Sequence, residues 1–291
     1  MSNRYKGDDQ YVRQQALNYT SFNYETTGKA YPENYGTMSG NFDGAGGSWG
    51  VIQYNWKSGT IQPILNSLVN DHPDVVQAAF TVTADYQKLL SVLADTTANQ
   101  IAWGESVTYW LYDANGNKIT TGASGHSYIE PWNTYFHDLG VSPEGQAAQN
   151  AGVQNYWNTA NTWFSDFKFW SRRAYALCFD NAVQYGGMTT TCHTDILNFV
   201  NGQATTLSPE VRELRAMRYF AWRVCQDHPG TYYQSALDRR MAIANGNGIV
   251  YGGRVDSTPY DLIMEPAFYN TFPAAWERPR NLAVTFNIVG G

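Results

Sequence analysis

The sequence predicts a mainly helical α+β chain: two helical lobes flanking a cleft with a small β-hairpin, organised as a single domain over residues 1–291. Three observations predict it. Apolar residues recur at helical spacing along most of the chain, and one glycine-rich block with partial alternation stands at 36–56. No repeat, low-complexity linker or composition break divides the rest. The first helix runs from Asp9 to Glu25, with Val12, Ala16, Tyr19 and Phe22 on one face, and Gly28 and Pro32 stop it. Residues 36–56, GTMSGNFDGAGGSWGVIQYNW, read as a short hairpin or loop platform. Helical patterns follow at 61–70 and 74–95. Residues 96–133 read as irregular and aromatic, with a turn at Asp113-Ala114-Asn115-Gly116-Asn117 between short strands. Further helices are predicted over 142–168, 171–185, 190–201, 209–227 and 231–245, with Ser208-Pro209-Glu210 a start signal. Residues 246–291 read as an irregular, Gly/Pro-rich C-terminal extension.

Composition narrows the function. Of the 291 residues 43% are hydrophobic and 15% charged, so the chain is globular. The net charge is −6 with no run of Lys or Arg, which argues against nucleic-acid binding, because counterion release needs clustered positive charge. The 21 Tyr and 10 Trp exceed what a core usually needs; they fit an aromatic core or sugar-stacking surfaces equally well. Cys178, Cys192 and Cys225 lie in apolar helical stretches with no metal spacing and read as buried free thiols. The first residues, MSNRYKGDDQYVRQQ, lack the apolar core of a signal peptide, and no apolar run is long enough to insert stably in a membrane. The expectation is a protein made in the cytoplasm.

The chemistry concentrates between Glu25 and Asn55. Glu25 closes the first helix beside Tyr24 and Phe22, and burial against those rings favours the protonated carboxyl, as a general acid requires. Eighteen residues on comes Asp43, in a stretch with glycines at 40, 44, 46 and 47 that lets the backbone turn tightly. A carboxylate in so open a loop is expected to stay ionised. Two carboxyl groups in contrasting environments suit glycosidic hydrolysis, one protonating the leaving oxygen and the other activating water. On spacing alone, Glu25 reads as well as a helix-terminal residue, and Asp43-Gly44 as a turn dipeptide.

The segment from Glu25 to Asn55 resembles the active-site region of the lysozyme-like superfamily. It is most similar to family 46 chitosanases and related phage and bacterial peptidoglycan hydrolases, the endolysins. In that family a Glu ending a long helix precedes an Asp-Gly-x-Gly-x-Thr-x-Gly loop. Here Asp43, Gly44, Gly46 and Gly50 match, and Ser48 keeps a hydroxyl at the Thr position. The resemblance implies Glu25 as acid, Asp43 as base, and Ser48 helping to hold the attacking water. Gly50-Val51-Ile52-Gln53 also resembles the Gly-x-x-Gln of goose-type lysozymes and lytic transglycosylases, where the Gln lines the cleft. Gln53, Tyr54, Asn55 and Trp49 are the expected substrate-binding residues. Weaker similarity lies in Phe179–Gly187 and Arg239-Arg240, so the matches spread over about 20 to 250. Two departures bear on the substrate: Ala45 stands where the family often has an arginine, and 96–135 matches no part of it.

The remaining candidates are weaker. The histidines 72, 126, 137, 193 and 228 form no i, i+4 pair, so no metal site is expected, and no cofactor either. Gly46-Gly47-Ser48-Trp49-Gly50 spells a nucleophile elbow, but the strand-turn-helix context is missing. Asp180 with Arg172, Arg173 and Arg240 suggests a buried ion-pair network. Trp49, Tyr54, Trp56, Trp103, Tyr109 and Trp110 are candidate sugar platforms, with core packing the commoner role for each. The reading is a glycoside hydrolase cutting β-1,4 bonds of peptidoglycan. Chitosanase, lytic transglycosylase and a non-catalytic, wall-binding component of a phage or injection particle are the alternatives. By family analogy, a holin, a phage tail or a contractile injection apparatus would deliver it to the cell wall.

Overall fold

The structure is a computed structural model that describes residues 9–26, 28–230 and 232–264. The first helix, α1 (Asp9–Thr20), does not run unbroken to Glu25. It widens into a π-helical turn over Ser21–Glu25, where the Thr26 amide reaches back to the Ser21 carbonyl at 2.8 Å. Single π turns inside helices occur often at functional sites, because the extra residue re-aims the side chains beyond it. A 3₁₀ turn (Glu33–Gly36) leads into a small antiparallel sheet of β1 (Met38–Ser39), β2 (Ser48–Trp49) and β3 (Tyr54–Asn55). The expected hairpin is thus three-stranded, with Met38 opposite Trp49 and Trp49 opposite Tyr54.

Five helices follow: α2 (Ile61–Asp71), α3 (Pro73–Ala79), α4 (Thr83–Leu93), α5 (Thr97–Ser106) and α6 (Trp132–Val141). The single helix expected over 74–95 is two. The irregular reading of 96–133 misses α5 and the start of α6. Weak amphipathy hid α5, but Thr96 caps it, its side chain accepting the Asn99 amide at 3.3 Å. Between α5 and α6 the chain makes a two-stranded excursion in which Thr108 bridges Tyr128 and Tyr112 bridges Lys118, with the expected turn at Asp113–Asn117.

The long α7 (Pro143–Asp166) packs on α2 and α6 and, further on, on α8 (Arg172–Tyr185). Gln149, fully buried on α7, fastens the sheet: its Oε1 accepts from the Val51 amide at 2.9 Å and its Nε2 donates to the Tyr35 carbonyl at 2.9 Å. α8 is buried almost all round and packs on α1, α10 (Pro209–Asp227) and α11 (Tyr233–Asn245). A helix with no wet face is a core element. α9 (Thr190–Asn201) packs on α10. Side-chain caps at Ser142, Ser171, Thr189 and Ser208 set four of these starts. Beyond Gly246 the irregular reading fails locally. A hairpin, β4 (Asn247–Val250) with β5 (Gly253–Asp256), packs on α11. The rest of the expected extension, 265–291, lies outside the described residues.

All three cysteines are buried and free. Among the described residues no helix is long and apolar enough to cross a membrane.

Candidate active site

Glu25 ends the π-helical turn with its side chain 16% exposed. Its Oε1 accepts a hydrogen bond from Arg239 Nη2 at 2.7 Å. Arg239, on α11, is itself gripped by the fully buried Asp180 of α8, whose Oδ1 lies 2.7 Å from Nε and 2.6 Å from Nη2. The guanidinium lies over the Tyr24 ring, 4.3 Å from its centre, and Tyr24 shares a 3.0 Å hydrogen bond with Tyr19. Burial pushes the Glu25 carboxyl above the usual carboxylate range; Arg239 opposes this without reversing it. The result is a partly accessible acid that holds its proton to higher pH than an ordinary Glu, positioned by three helices.

The expected ion-pair network therefore exists with different members. Asp180 pairs with Arg239, not Arg240. Arg240 instead donates to Asn181 Oδ1 at 3.1 Å and lies over the Tyr185 ring, while Arg172 pairs with Asp261. The adjacent pair Asp180-Asn181 meets the adjacent pair Arg239-Arg240, one polar group to each. Nothing local in the sequence shows which partner each takes.

Asp43 lies on the loop joining β1 to β2. It is exposed, and its Oδ1 accepts the Ala45 amide at 3.0 Å. No hydrogen bond joins it to Glu25, so the two carboxyl groups occupy separate supports. The loop is tightly fixed. Asn41 Oδ1 accepts the Gly46 amide at 2.6 Å, and Asn41 Nδ2 donates to Glu105 Oε2 at 2.7 Å. Lys118 closes that chain by pairing with Glu105. Tyr128 donates to the Gly46 carbonyl at 2.6 Å and receives Trp56 Nε1 at 3.1 Å. Two glycines are required here. Gly47 has φ +111°, and a Cβ on it would meet the Tyr128 hydroxyl at 2.3 Å; a Cβ on Gly104 of α5 would lie 1.7 Å from the Gly46 carbonyl oxygen. The positioning residues Asn41, Glu105 and Tyr128 were missed from sequence, since their partners are up to 82 residues away.

Ser48 sits on β2 opposite Ser39 and Asn55 and is 7% exposed. Trp49 and Tyr54 correct the substrate-binding expectation. Trp49 is fully buried, its indole donating to the Phe136 carbonyl at 2.8 Å, and Tyr54 is buried with its hydroxyl on the Gln149 carbonyl at 2.6 Å. Neither ring offers a face to a ligand. Trp56 and Trp103 are likewise core residues, whereas Tyr109 is exposed and Trp110 half-buried. Gln53 takes the left-handed conformation (φ 57°) and spans Ser39 Oγ at 2.8 Å and the Gly50 carbonyl at 3.0 Å. The Asn55 side-chain oxygen accepts from Ser58. Both are partly exposed.

No known protein-family profile matches the chain, and no curated protein does either. Solved structures do match. The family 46 chitosanase of Gynuella sunshinyii in complex with chitotetraose superposes with TM-score 0.53 at 17% identity, covering 84% of this chain and 97% of that one. A mutant chitosanase from Bacillus subtilis MY002, complexed with 6 GlcN, gives 0.51 at 16% identity, over 87% and 97%. The native enzyme from that source gives 0.50 at 16% identity, over 82% and 89%. The fold is lysozyme-like, of the chitosanase type. At such identity the likeness is one of architecture, and the reaction is argued from the residues.

Proposed function

We propose that this chain is a glycoside hydrolase that cleaves the β-1,4 bonds of peptidoglycan. Glu25 is the general acid, Asp43 the general base, and Ser48 helps to hold the water. The observation that carries the reading is the contrast between the two carboxyl groups. Glu25 is enclosed, proton-retaining and clamped by Arg239; Asp43 is open to solvent on a rigid loop of a separate element. An enclosed acid can protonate the departing glycosidic oxygen, while an open carboxylate can take a proton from water entering on the far face of the sugar. A hydrolase of this inverting type keeps its carboxyl groups roughly 6.5–9.5 Å apart and releases the α-anomer from a β-linked chain. Asn55, paired with Ser48 in the sheet, and Gln53, just before β3, remain candidate glycan contacts.

Chitosan is the second reading, favoured by the chitotetraose and GlcN complexes of the structurally similar enzymes. Local charge favours peptidoglycan. A polycation is best held by several free carboxylates, yet beside the Asp43 loop Glu105 is neutralised by Lys118. Purified protein is offered peptidoglycan sacculi and chitosan in parallel, with turbidity and product mass read together. Reducing-end fragments from sacculi, lost at least ~10²-fold in Glu25→Gln, are expected. Faster release of glucosamine oligomers from chitosan would move the substrate to the second reading. Anhydro ends would make the protein a lytic transglycosylase. A Glu25→Gln protein keeping half its rate would end the assignment of the acid.

A further inference from the structure

Residues 107–129, the excursion between α5 and α6, are tied to the Asp43 loop at several points. Thr108 Oγ1 accepts the Asn41 amide at 3.0 Å and donates to the Gly104 carbonyl at 2.7 Å. The excursion also brings His126 flat against Phe42, ring centres 4.2 Å apart and planes 24° from parallel. Phe42 immediately precedes Asp43, yet it is 50% exposed. A phenyl ring left half in water forgoes hydrophobic stabilisation that burial would supply. This one is nevertheless held in place. Gly125, at φ +80°, brings its backbone so close that a Cβ would lie 3.2 Å from the Phe42 Cβ and 2.5 Å from the Trp110 ring. Trp110 in turn lies under the Lys118 ammonium at 4.1 Å.

We infer that Phe42, backed by His126, is a sugar-stacking platform adjoining Asp43, receiving the apolar face of a pyranose ring next to the bond that is cut. The inference rests on the reading of Asp43 as part of the active site and adds to it a ligand contact. Adjacent residues have Cα atoms ~3.8 Å apart, less than the length of one sugar. A glycan ring lying on the Phe42 side of Asp43 is therefore within reach of the phenyl face. Stacking on a ring that is already immobilised needs little ordering on binding. Because the residues that back Phe42, His126 and Gly125, come from the excursion that matches nothing in the resembling family, the platform belongs to this chain's own substrate choice.

The test measures binding and turnover separately. Calorimetry with the Glu25→Gln protein gives Kd for the hexamers of N-acetylglucosamine and of glucosamine. Kinetics of the otherwise wild-type protein on its hydrolysed polymer give KM and kcat. Phe42→Ala is expected to raise both Kd and KM about tenfold with kcat changed less than about threefold, and Phe42→Trp to restore both. His126→Ala should weaken binding by a smaller factor. A Phe42→Ala protein that binds and turns over like its parent overturns the platform, as does a Trp variant as damaged as the Ala one, or a protein that binds neither hexamer. Turnover absent from the wild type while Phe42-dependent binding persists would instead refute the hydrolytic reading and leave the platform standing.

Discussion

Glu213 offers a test of the core that is independent of the catalytic proposal. It lies on α10, 4% exposed, and its Oε1 accepts the amides of Trp170 and Ser171 at 2.7 and 2.9 Å, just ahead of α8. Burial pushes its carboxyl from 4.5 up to about 7; the two amide hydrogen bonds and the nearby charge of Arg173 only partly offset this. The folded chain thus holds this proton more tightly than the unfolded chain. The associated stability is fully present below the unfolded value of 4.5 and is lost as the pH rises through about 7. At 1.36 kcal/mol per pH decade, the loss between about pH 5 and about pH 8 is about 2.5 kcal/mol. Glu213→Gln keeps an oxygen for both amides and removes the ionisation. Near pH 5 its stability should match the wild type within about 1 kcal/mol. Near pH 8 it should exceed the wild type by roughly 2–3 kcal/mol, or about 5 °C in Tm for a chain of this size. The assay is urea unfolding of both proteins at the two pH values, supported by thermal melts. Taking the difference between the proteins cancels every titration they share. Parallel stability-pH curves, offset by a constant or not at all, would refute the assignment of a proton to Glu213.

Four further outcomes follow from the site. With Glu25 as the proposed acid and its carboxyl raised, the rate should fall as pH rises through its folded value, giving an alkaline limb above the usual carboxylate range; a profile falling only on the acid side would contradict this. Arg239→Met leaves the fully buried Asp180 without its cation and should cost about 3–5 kcal/mol in denaturant unfolding, with the alkaline limb of any residual activity moved to higher pH. Gly104→Ala places a methyl 1.7 Å from the Gly46 carbonyl oxygen, so the Asp43 loop must shift, with an expected loss of about 1–3 kcal/mol and a fall in kcat; unchanged kcat would show that loop position is unimportant. Asp43→Asn should lower kcat nearly as far as Glu25→Gln, by ~10²-fold or more, and Ser48→Ala should cost less, which product assays on the identified polymer will decide.

Much of the architecture was legible because it depends on local chemistry. Ser142-Pro143 and Ser208-Pro209 supply their caps from adjacent residues, and α10 spans the predicted 209–227. The tight turning of the Asp43 loop was legible in its glycines, since their spacing records backbone geometry that is local to the loop. The errors have physical reasons too. The break between α3 and α4 falls in a stretch whose apolar spacing is helical throughout, and α5 has little amphipathy to show. Trp49 and Tyr54 read as platforms because a sequence counts aromatics without placing them.

By itself the sequence determined the helices with clear caps and the glycine-rich turn, and it placed one carboxyl group at the end of a helix and another in the turn. Only the tertiary structure decided what surrounds them. Glu25 is clamped by a side chain 214 residues away, Asp180 chooses Arg239 over its neighbour, and Asn41 joins the Asp43 loop to Glu105 across 64 residues. Local propensity acts over a few residues. Burial, which sets the Glu25 proton affinity and hides Trp49, is a property of the packed chain.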